Sequence, residues 1–442
     1  MCQNISPKVM QFFILIITFF SVCYAQKSQQ YSINIVGFFD DIRSISRHTS
    51  SFIECLRKDA DITFIKTRPC NFKDLPDYFE RITNTGIDLT NKKITQEPLR
   101  TEKKITGITI YTDTFIDGWQ KYLSICNEST IKIAYCVTER TLIPHEWAGQ
   151  INKNFDAIVV ADGWLVDVYK NSGVSVPIFT LPLALDLESL LKKPIKQACN
   201  KPFVFGFSGG FWARKNHELL VKAFVAEFGN NHDIILKMHG RFESGFSTVL
   251  KELEKIKTPN IMLEYKAFTR QEYENFITSL DCYVLVSKAE GFSITPREAL
   301  ASGIPCILSN NTAHKVICDA QCVYAVPANI PEPSYCNFAR RLLGYDFNCT
   351  IKDVRKALRD VYENYQEHLI KANIGRTWVQ QYHAENLKQK YMNLVRPKMV
   401  ILGANNSITH EHIVTNSKTL FNKYQQLCKS TDTIFKTFQD KA

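Results

Sequence analysis

Apolar residues fall in short continuous runs separated by amphipathic stretches, and this alternation occurs twice along the chain. The first run, residues 31–39, reads Tyr-Ser-Ile-Asn-Ile-Val-Gly-Phe-Phe, a buried-strand pattern with a glycine near its end. A helix is expected from about Ser46 to Arg57, and strands from Ile62 to Ile65, Ile108 to Tyr111, Ile131 to Val137 and Ala157 to Val160. Pro177 and Pro182 bracket one more short strand, and the stretch from Leu185 to Asn200 is then charged and lysine-rich. The cycle restarts with strands expected from Phe203 to Phe207, Ile234 to Met238, Ile261 to Tyr265, Cys282 to Val286, Cys306 to Leu308 and Val323 to Val326. Thr269-Arg270-Gln271-Glu272 is a capping box opening the helix before Leu280. From Asp353 to Leu394 the pattern is helical and charged, and Pro397 ends it. Buried strands alternating with helices specify an α/β fold with mostly parallel sheets, here in two Rossmann-like units.

The length, 442 residues, suits two domains rather than one core. The expected divisions are 30–185, a linker at 186–200, a second domain at 201–378, a closing helix at 379–395 and a tail at 396–442 of unassigned role. Apolar residues make up 45% of the chain and charged ones 22%, which excludes disorder over most of its length. The formal charge of +10 is spread along the chain. It suits anionic partners, including nucleotide diphosphates or an acidic membrane surface, and equally a solvated lysine-rich exterior. No nucleic-acid partner is expected: the chain has no basic helix, paired-cysteine zinc module or aromatic ribonucleoprotein motif.

The N-terminus changes the picture. Lys8 precedes the apolar run Phe12 to Phe20, and small residues lead to a cleavage point after Ala25. Residues 1–25 therefore read as a secretory signal peptide, or as an uncleaved signal anchor, and place the protein in the secretory pathway; a cytoplasmic location is the alternative. The 14 cysteines include no C-x-x-C pair, so zinc and thioredoxin-type chemistry are not indicated. By proximity in sequence, Cys318 with Cys322 and Cys336 with Cys349 are candidate pairs if the chain is exported. Glycosylation sequons stand at Asn127, Asn310, Asn348 and Asn405.

Two segments carry chemistry. In Ser287-Lys288-Ala289-Glu290-Gly291-Phe292-Ser293-Ile294-Thr295-Pro296-Arg297-Glu298, a loop leaves a buried strand and opens a helix. Thr295 reads as N-cap, Pro296 as first helical residue and Glu298 as third. The free N–H groups and positive dipole end of such a helix bind anions, and Gly291 lets a ligand approach the backbone. In Phe207-Ser208-Gly209-Gly210-Phe211-Trp212-Ala213-Arg214-Lys215, two glycines permit a tight turn and two cations follow. Backbone donors with fixed positive charge suit a diphosphate.

With these motifs the chain resembles the retaining glycosyltransferases of the GT-B fold, in the large family 4 group. That family carries a Glu, seven residues and a second Glu, here Glu290 and Glu298. The resemblance implies two Rossmann-like domains facing across a cleft, with the donor held by the C-terminal one. It implies that Glu290 contacts donor-sugar hydroxyls and Glu298 the ribose, and that Gly291, Phe292 and Ser293 line the pocket through their backbone. Lys215 matches the family's diphosphate lysine, with Arg214 before it and Gly209 and Gly210 in the preceding turn. The N-terminal half matches more loosely, through Tyr135 to Glu139, Pro144, Trp147, Asn152 and Trp164, then Gly173 to Pro177. Trp378 to Tyr391 resembles the family's helix that crosses back to the first domain. The expected donor is a UDP- or GDP-sugar and the acceptor a glycan or lipid-linked hydroxyl. No metal is expected, since no Asp-x-Asp motif stands near a strand end, and no other cofactor.

The chain departs from the pattern at Ser293, where the family has glycine, and at Gly209, where it usually has arginine. It has no histidine after the strand ending at Val137; Glu139 stands near that point and is the candidate to act on the sugar. Blander readings stand beside these. Glu298 also satisfies a capping box, Arg214 and Lys215 are ordinary surface cations, Trp147 and Trp164 are packing residues, and His217 is a helix-surface histidine. His239, ending a strand, is a candidate to border the pocket. The alternative function is an exported two-domain binding protein for a sugar or other solute, without catalysis.

Overall fold

The computed structural model describes residues 31–38, 46–67, 87–88, 107–112, 129, 131–240, 258–336 and 339–395. The N-terminal targeting segment, the tail from residue 396 and the sequons at Asn127 and Asn405 lie outside them. No helix of the described residues is long and apolar enough to cross a membrane.

The first sheet has seven strands: β1 (Tyr31–Gly37), β2 (Ala60–Lys66), β3 (Ile87–Asp88), β4 (Ile108–Tyr111), β5 (Ile131–Cys136), β6 (Ala157–Val160) and β7 (Ile178–Thr180). Their order is β3-β2-β1-β4-β5-β6-β7, and every neighbouring pair is parallel. The second sheet holds β8 (Phe203–Ser208), β9 (Ile234–Gly240), β10 (Ile261–Tyr265), β11 (Cys282–Leu285), β12 (Cys306–Asn310) and β13 (Tyr324–Pro327). It runs β10-β9-β8-β11-β12-β13, again all parallel. Both sheets wind outward from a central strand and then reverse, which leaves a crevice at the carboxyl ends of the strands flanking the switch. Central strands β4, β6, β8 and β11 are buried along their whole length, as expected for apolar runs covered on both faces.

Helices cover the sheets: α1 (Ser46–Leu56), α2 (His145–Asn154), α3 (Trp164–Asn171) and short α4 (Glu188–Leu191), then α5 (His217–Phe228), α6 (Arg270–Ser279), α7 (Ile294–Ala301) and α8 (Thr312–Asp319). The chain continues as α9 (Ile351–Glu363), α10 (Tyr365–Trp378), a 3-10 turn at Val379–Tyr382 and α11 (Ala384–Val395). The expected capping box opens α6, with Thr269 Oγ1 accepting from Glu272 N–H at 3.2 Å and Glu272 accepting from Thr269 N–H at 2.8 Å.

Two tethers fix the connections. Fully buried Asp281 accepts from Lys196 Nζ at 2.7 Å and from the N–H groups of Asn200 and Val204 at 2.9 and 2.8 Å. This pins the segment entering β8 to the second sheet. At the other end α11 packs on α1: Tyr391 stacks edge-on against Phe52 at 4.8 Å, donates to Pro182 O at 2.8 Å and accepts from Ala184 N–H at 3.2 Å. Lys388 adds an ion pair to Asp59 at 2.8 Å.

Several local expectations are corrected. Helix α7 starts at Ile294, with Ser293 as its cap in the left-handed region (φ 62), so Thr295 is not the cap. Its hydroxyl instead accepts from Tyr283 at 2.7 Å. Cys318, Cys322, Cys336 and Cys349 are free thiols and form neither candidate pair. His217 is buried between Phe207 and Phe211 rather than on the helix surface. An antiparallel ribbon, β14 (Ile330–Cys336) with β15 (Arg341–Asn348), was not expected. It reaches the first unit: Arg341 makes a bidentate pair with Glu146 in the first turn of α2 at 3.0 and 2.6 Å, and Tyr345 N–H donates to Thr141 of the preceding loop at 2.8 Å.

Candidate functional site

The two charged segments leave neighbouring strands of the second sheet at its switch. After β8 the chain turns through Gly209 and Gly210 into a 3-10 turn, Ala213–Lys215, ended by Asn216 at φ 61. After β11 it runs through Ser287 to Ser293 into α7. The two loops are tied by Lys288 N–H donating to Arg214 O at 2.7 Å and by Arg214 Nη1 donating to Ala289 O at 2.8 Å.

This brings Glu139, Arg214, Lys215 and Glu290 into one cluster. Glu290 Oε1 accepts from Lys215 Nζ at 2.5 Å and from Ser287 Oγ at 2.7 Å, and lies 3.2 Å from Arg214 Nη1. Arg214 Nη2 reaches Glu139 Oε1 at 2.7 Å, so the cluster spans both sheets. Burial alone would push the Glu290 carboxyl upward. The charges of Lys215 and Arg214, with a smaller contribution from His314, overcome it and hold the group well below the usual carboxylate range. Burial in turn pulls the Lys215 ammonium down against Glu290. The cluster thus sets two basic side chains against two carboxylates, with Glu290 at its buried end, where a pairing is worth more than at an open surface.

Gly291 is where the second sheet's loop meets the first. A Cβ there would sit 2.6 Å from Val137 Cγ1 and 3.2 Å from Thr138 O, so the close approach of the two units at this point requires glycine. Phe292 is buried against Arg297 and Tyr382. Ser293 takes a left-handed conformation that costs a non-glycine residue roughly 1 kcal/mol. Its hydroxyl is bonded to His314 Nε2 at 2.7 Å. Ser309 donates its own hydroxyl proton to Ser287 O at 2.5 Å, so His314 Nδ1, beside Ser309 at 3.1 Å, is the donor and Nε2 accepts from Ser293. Burial lowers His314 to about 4, which keeps it neutral.

Glu298 lies apart from this cluster. It is buried, accepts from Tyr273 OH at 2.6 Å, and faces Arg270 at 3.5 Å and Arg47 of α1 at 3.9 Å. Gly209 donates its N–H to His239 O at 3.1 Å and thus extends the sheet rather than offering that donor to a ligand. His239 is held by Ser208 at 2.9 Å and Lys266 O at 2.8 Å and stacks on Phe268. Ser287, Thr312, His314, Arg270, Tyr273 and Arg297 were not singled out from sequence. Ser287 and Thr312 stand just beyond the carboxyl ends of β11 and β12, which is the signal that could have found them. Thr312 Oγ1 accepts from Glu290 N–H at 2.8 Å.

Two all-parallel α/β units whose strand-end loops meet, Arg214 on Glu139 and Gly291 on Thr138, have the GT-B fold. Residues 191–332 match the family model described as glycosyl transferases group 1. Among solved structures, the chain is similar to HepE of Anabaena in complex with UDP, at 10% identity and a TM-score of 0.60, covering 82% of this chain and 99% of that one. Similar too are the sucrose-phosphate synthase of Thermosynechococcus elongatus (12% identity, TM-score 0.61, 84% and 100% covered) and a glycosyltransferase of Rickettsia africae (11%, 0.59, 84% and 99%). A search of curated protein sequences gives no match.

Proposed function

We infer that the protein is a glycosyltransferase that moves a sugar from a nucleoside-diphosphate donor bound at the second sheet to an acceptor presented by the first. The observation that carries this reading is the Glu139–Arg214–Glu290–Lys215 cluster at the carboxyl ends of β5, β8 and β11. Arg214 and Lys215 are placed to take up the negative charge that grows on the departing diphosphate, a metal-independent form of electrostatic stabilisation. Glu290, ionised and fixed by three donors, is suited to accept from donor-sugar hydroxyls. Glu298, with Tyr273 and Arg270, is suited to the ribose. Glu139 faces the same space from the acceptor side. In the step we propose, the acceptor oxygen bonds to the anomeric carbon, the bond to the diphosphate oxygen breaks, and the acceptor's proton passes to that leaving oxygen. Attack and departure on one face retain the anomeric configuration. UDP in the HepE structure supports a uridine donor, with GDP-sugars as the second candidate. We further propose a glycan or lipid-linked acceptor and a secretory or membrane-anchored location, on the strength of residues 1–25.

Thermal melting with UDP, GDP, ADP and their sugars tests the reading. A nucleotide that binds the folded state raises the midpoint by mass action. One base is expected to stabilise the protein, and Lys215→Ala to abolish that shift. Stabilisation by a free sugar or other solute, with none by any nucleotide, would replace the transferase with a solute-binding protein.

A further inference from the structure

Arg297 is an arginine where α7 presents its buried face, fully enclosed in the chain. An apolar side chain of similar length would fill the same space, because the guanidinium lies over three rings: Phe292 at 4.0 Å, Tyr382 at 4.6 Å and Trp378 at 5.9 Å. Its polar atoms are only partly used. Nη1 donates to the carbonyls of Phe292 and of Ser293, the latter at 3.0 Å. Nε and Nη2 have no hydrogen-bond partner among the described residues, and Nη2 faces Asp162 of the first sheet at 3.8 Å. A buried cation so incompletely paired is a cost to folding that an apolar residue would avoid.

The two bonds it makes have a geometric consequence. In a planar trans peptide the C=O of one residue and the N–H of the next point in opposite directions. With the carbonyls of Phe292 and Ser293 both turned onto Arg297, the N–H groups of Ser293 and Ile294 are turned away from it, out of the amino end of the eight-residue helix α7. Among the described residues none accepts from the N–H of Ser293. Successive N–H groups aimed outward across a left-handed residue form an anion-binding concavity.

We propose that Arg297 is a positioning residue of the donor site: it holds the Phe292 and Ser293 carbonyls so that the Ser293 and Ile294 N–H groups face the donor's diphosphate. Asp162 from the first sheet and Trp378 and Tyr382 from the returning segment hold Arg297 in turn. The loop's geometry thereby depends on the two units being together. This inference rests on the proposed function and adds to it a residue that no ligand touches.

The test compares binding of a nucleoside, its monophosphate and its diphosphate, of whichever base stabilises the wild type, to wild type, Arg297→Met and Arg297→Lys. Arg297→Met is expected to lose diphosphate affinity by at least about 10-fold and to keep nucleoside affinity within about 2-fold. Arg297→Lys, which keeps the charge but cannot bridge two carbonyls as the fork does, is expected to fold and to show a smaller loss confined to the diphosphate. If Arg297→Met does not fold, Arg297→Lys is read by the same criterion. Diphosphate affinity equal to wild type, or equal losses for nucleoside and diphosphate, overturns the proposal and leaves the transferase reading intact. A wild type that binds no nucleoside diphosphate overturns both.

Discussion

Arg214 Nη2 lies 2.7 Å from Glu139 Oε1, and the same guanidinium reaches Glu290 Oε1 through Nη1 at 3.2 Å. One side chain of the second sheet thus bonds the loop after β5 of the first sheet while it supports the carboxylate placed for the donor sugar. Glu139 competes with any incoming anion for Arg214. Glu139→Gln is therefore expected to raise nucleoside-diphosphate affinity a few-fold while lowering the rate of transfer. Calorimetric titration with the diphosphate checks the first part and product formation the second. Weaker binding in the variant would show that Glu139 holds Arg214 in its productive position rather than restraining it.

Acid sensitivity follows from three buried histidines. Burial lowers His48 and His314 to about 4 and His217 to about 3. In the unfolded chain each binds its proton near pH 6.5, so the unfolded state holds more protons as pH falls below that value. Stability is then complete above about pH 6.5 and is lost progressively toward pH 4, by roughly 3 kcal/mol at most for each of His48 and His314. Glu290, held below the carboxylate range, adds a further loss at the acid end. Urea midpoints measured at pH 8, 6.5 and 5 are expected to fall across this series. His217→Leu is expected to flatten the fall, because it removes one of the three proton sites, and its ring nitrogens have no hydrogen-bond partner among the described residues to lose.

Removing a tether should cost stability without touching the site. Asp281→Ala leaves the part-buried Lys196 ammonium with Leu280 O alone and deprives the Asn200 and Val204 N–H groups of their acceptor, a loss of about 2–3 kcal/mol. Denaturant unfolding gives the value. Nucleotide affinity of the folded fraction is expected to be unchanged.

Much of this architecture was legible in the chain because its strands are apolar on both faces. Runs such as Ala157–Val160 and Cys282–Leu285 have no amphipathic alternative, and the charged loops after Phe207 and Val286 stand out against them. What escaped has physical reasons. The β14–β15 ribbon carries Pro331 and Pro333, which speak against a central strand; a two-stranded ribbon is all edge and tolerates them. The cap of α7 is not legible locally, because a serine at φ 62 is disfavoured in isolation and is held here by His314, a partner 21 residues away in sequence. His217 reads as polar, yet the aromatic pair Phe207 and Phe211 encloses it. The turn after β8 folds those two rings back over the first residue of α5, a local geometry that apolar periodicity does not register.

The most direct test of the donor site is release of nucleoside diphosphate from the sugar nucleotide that stabilises the protein, measured for wild type and Glu290→Gln. The substitution preserves shape and removes the charge that Lys215 and Arg214 hold in place. The account predicts that the variant binds the donor about as tightly as wild type and releases product at least about 100-fold more slowly, the size of loss seen when one transition-state contact is removed. Release by Glu290→Gln at the wild-type rate would contradict the assignment of Glu290 and, with it, the placement of the donor sugar in this crevice.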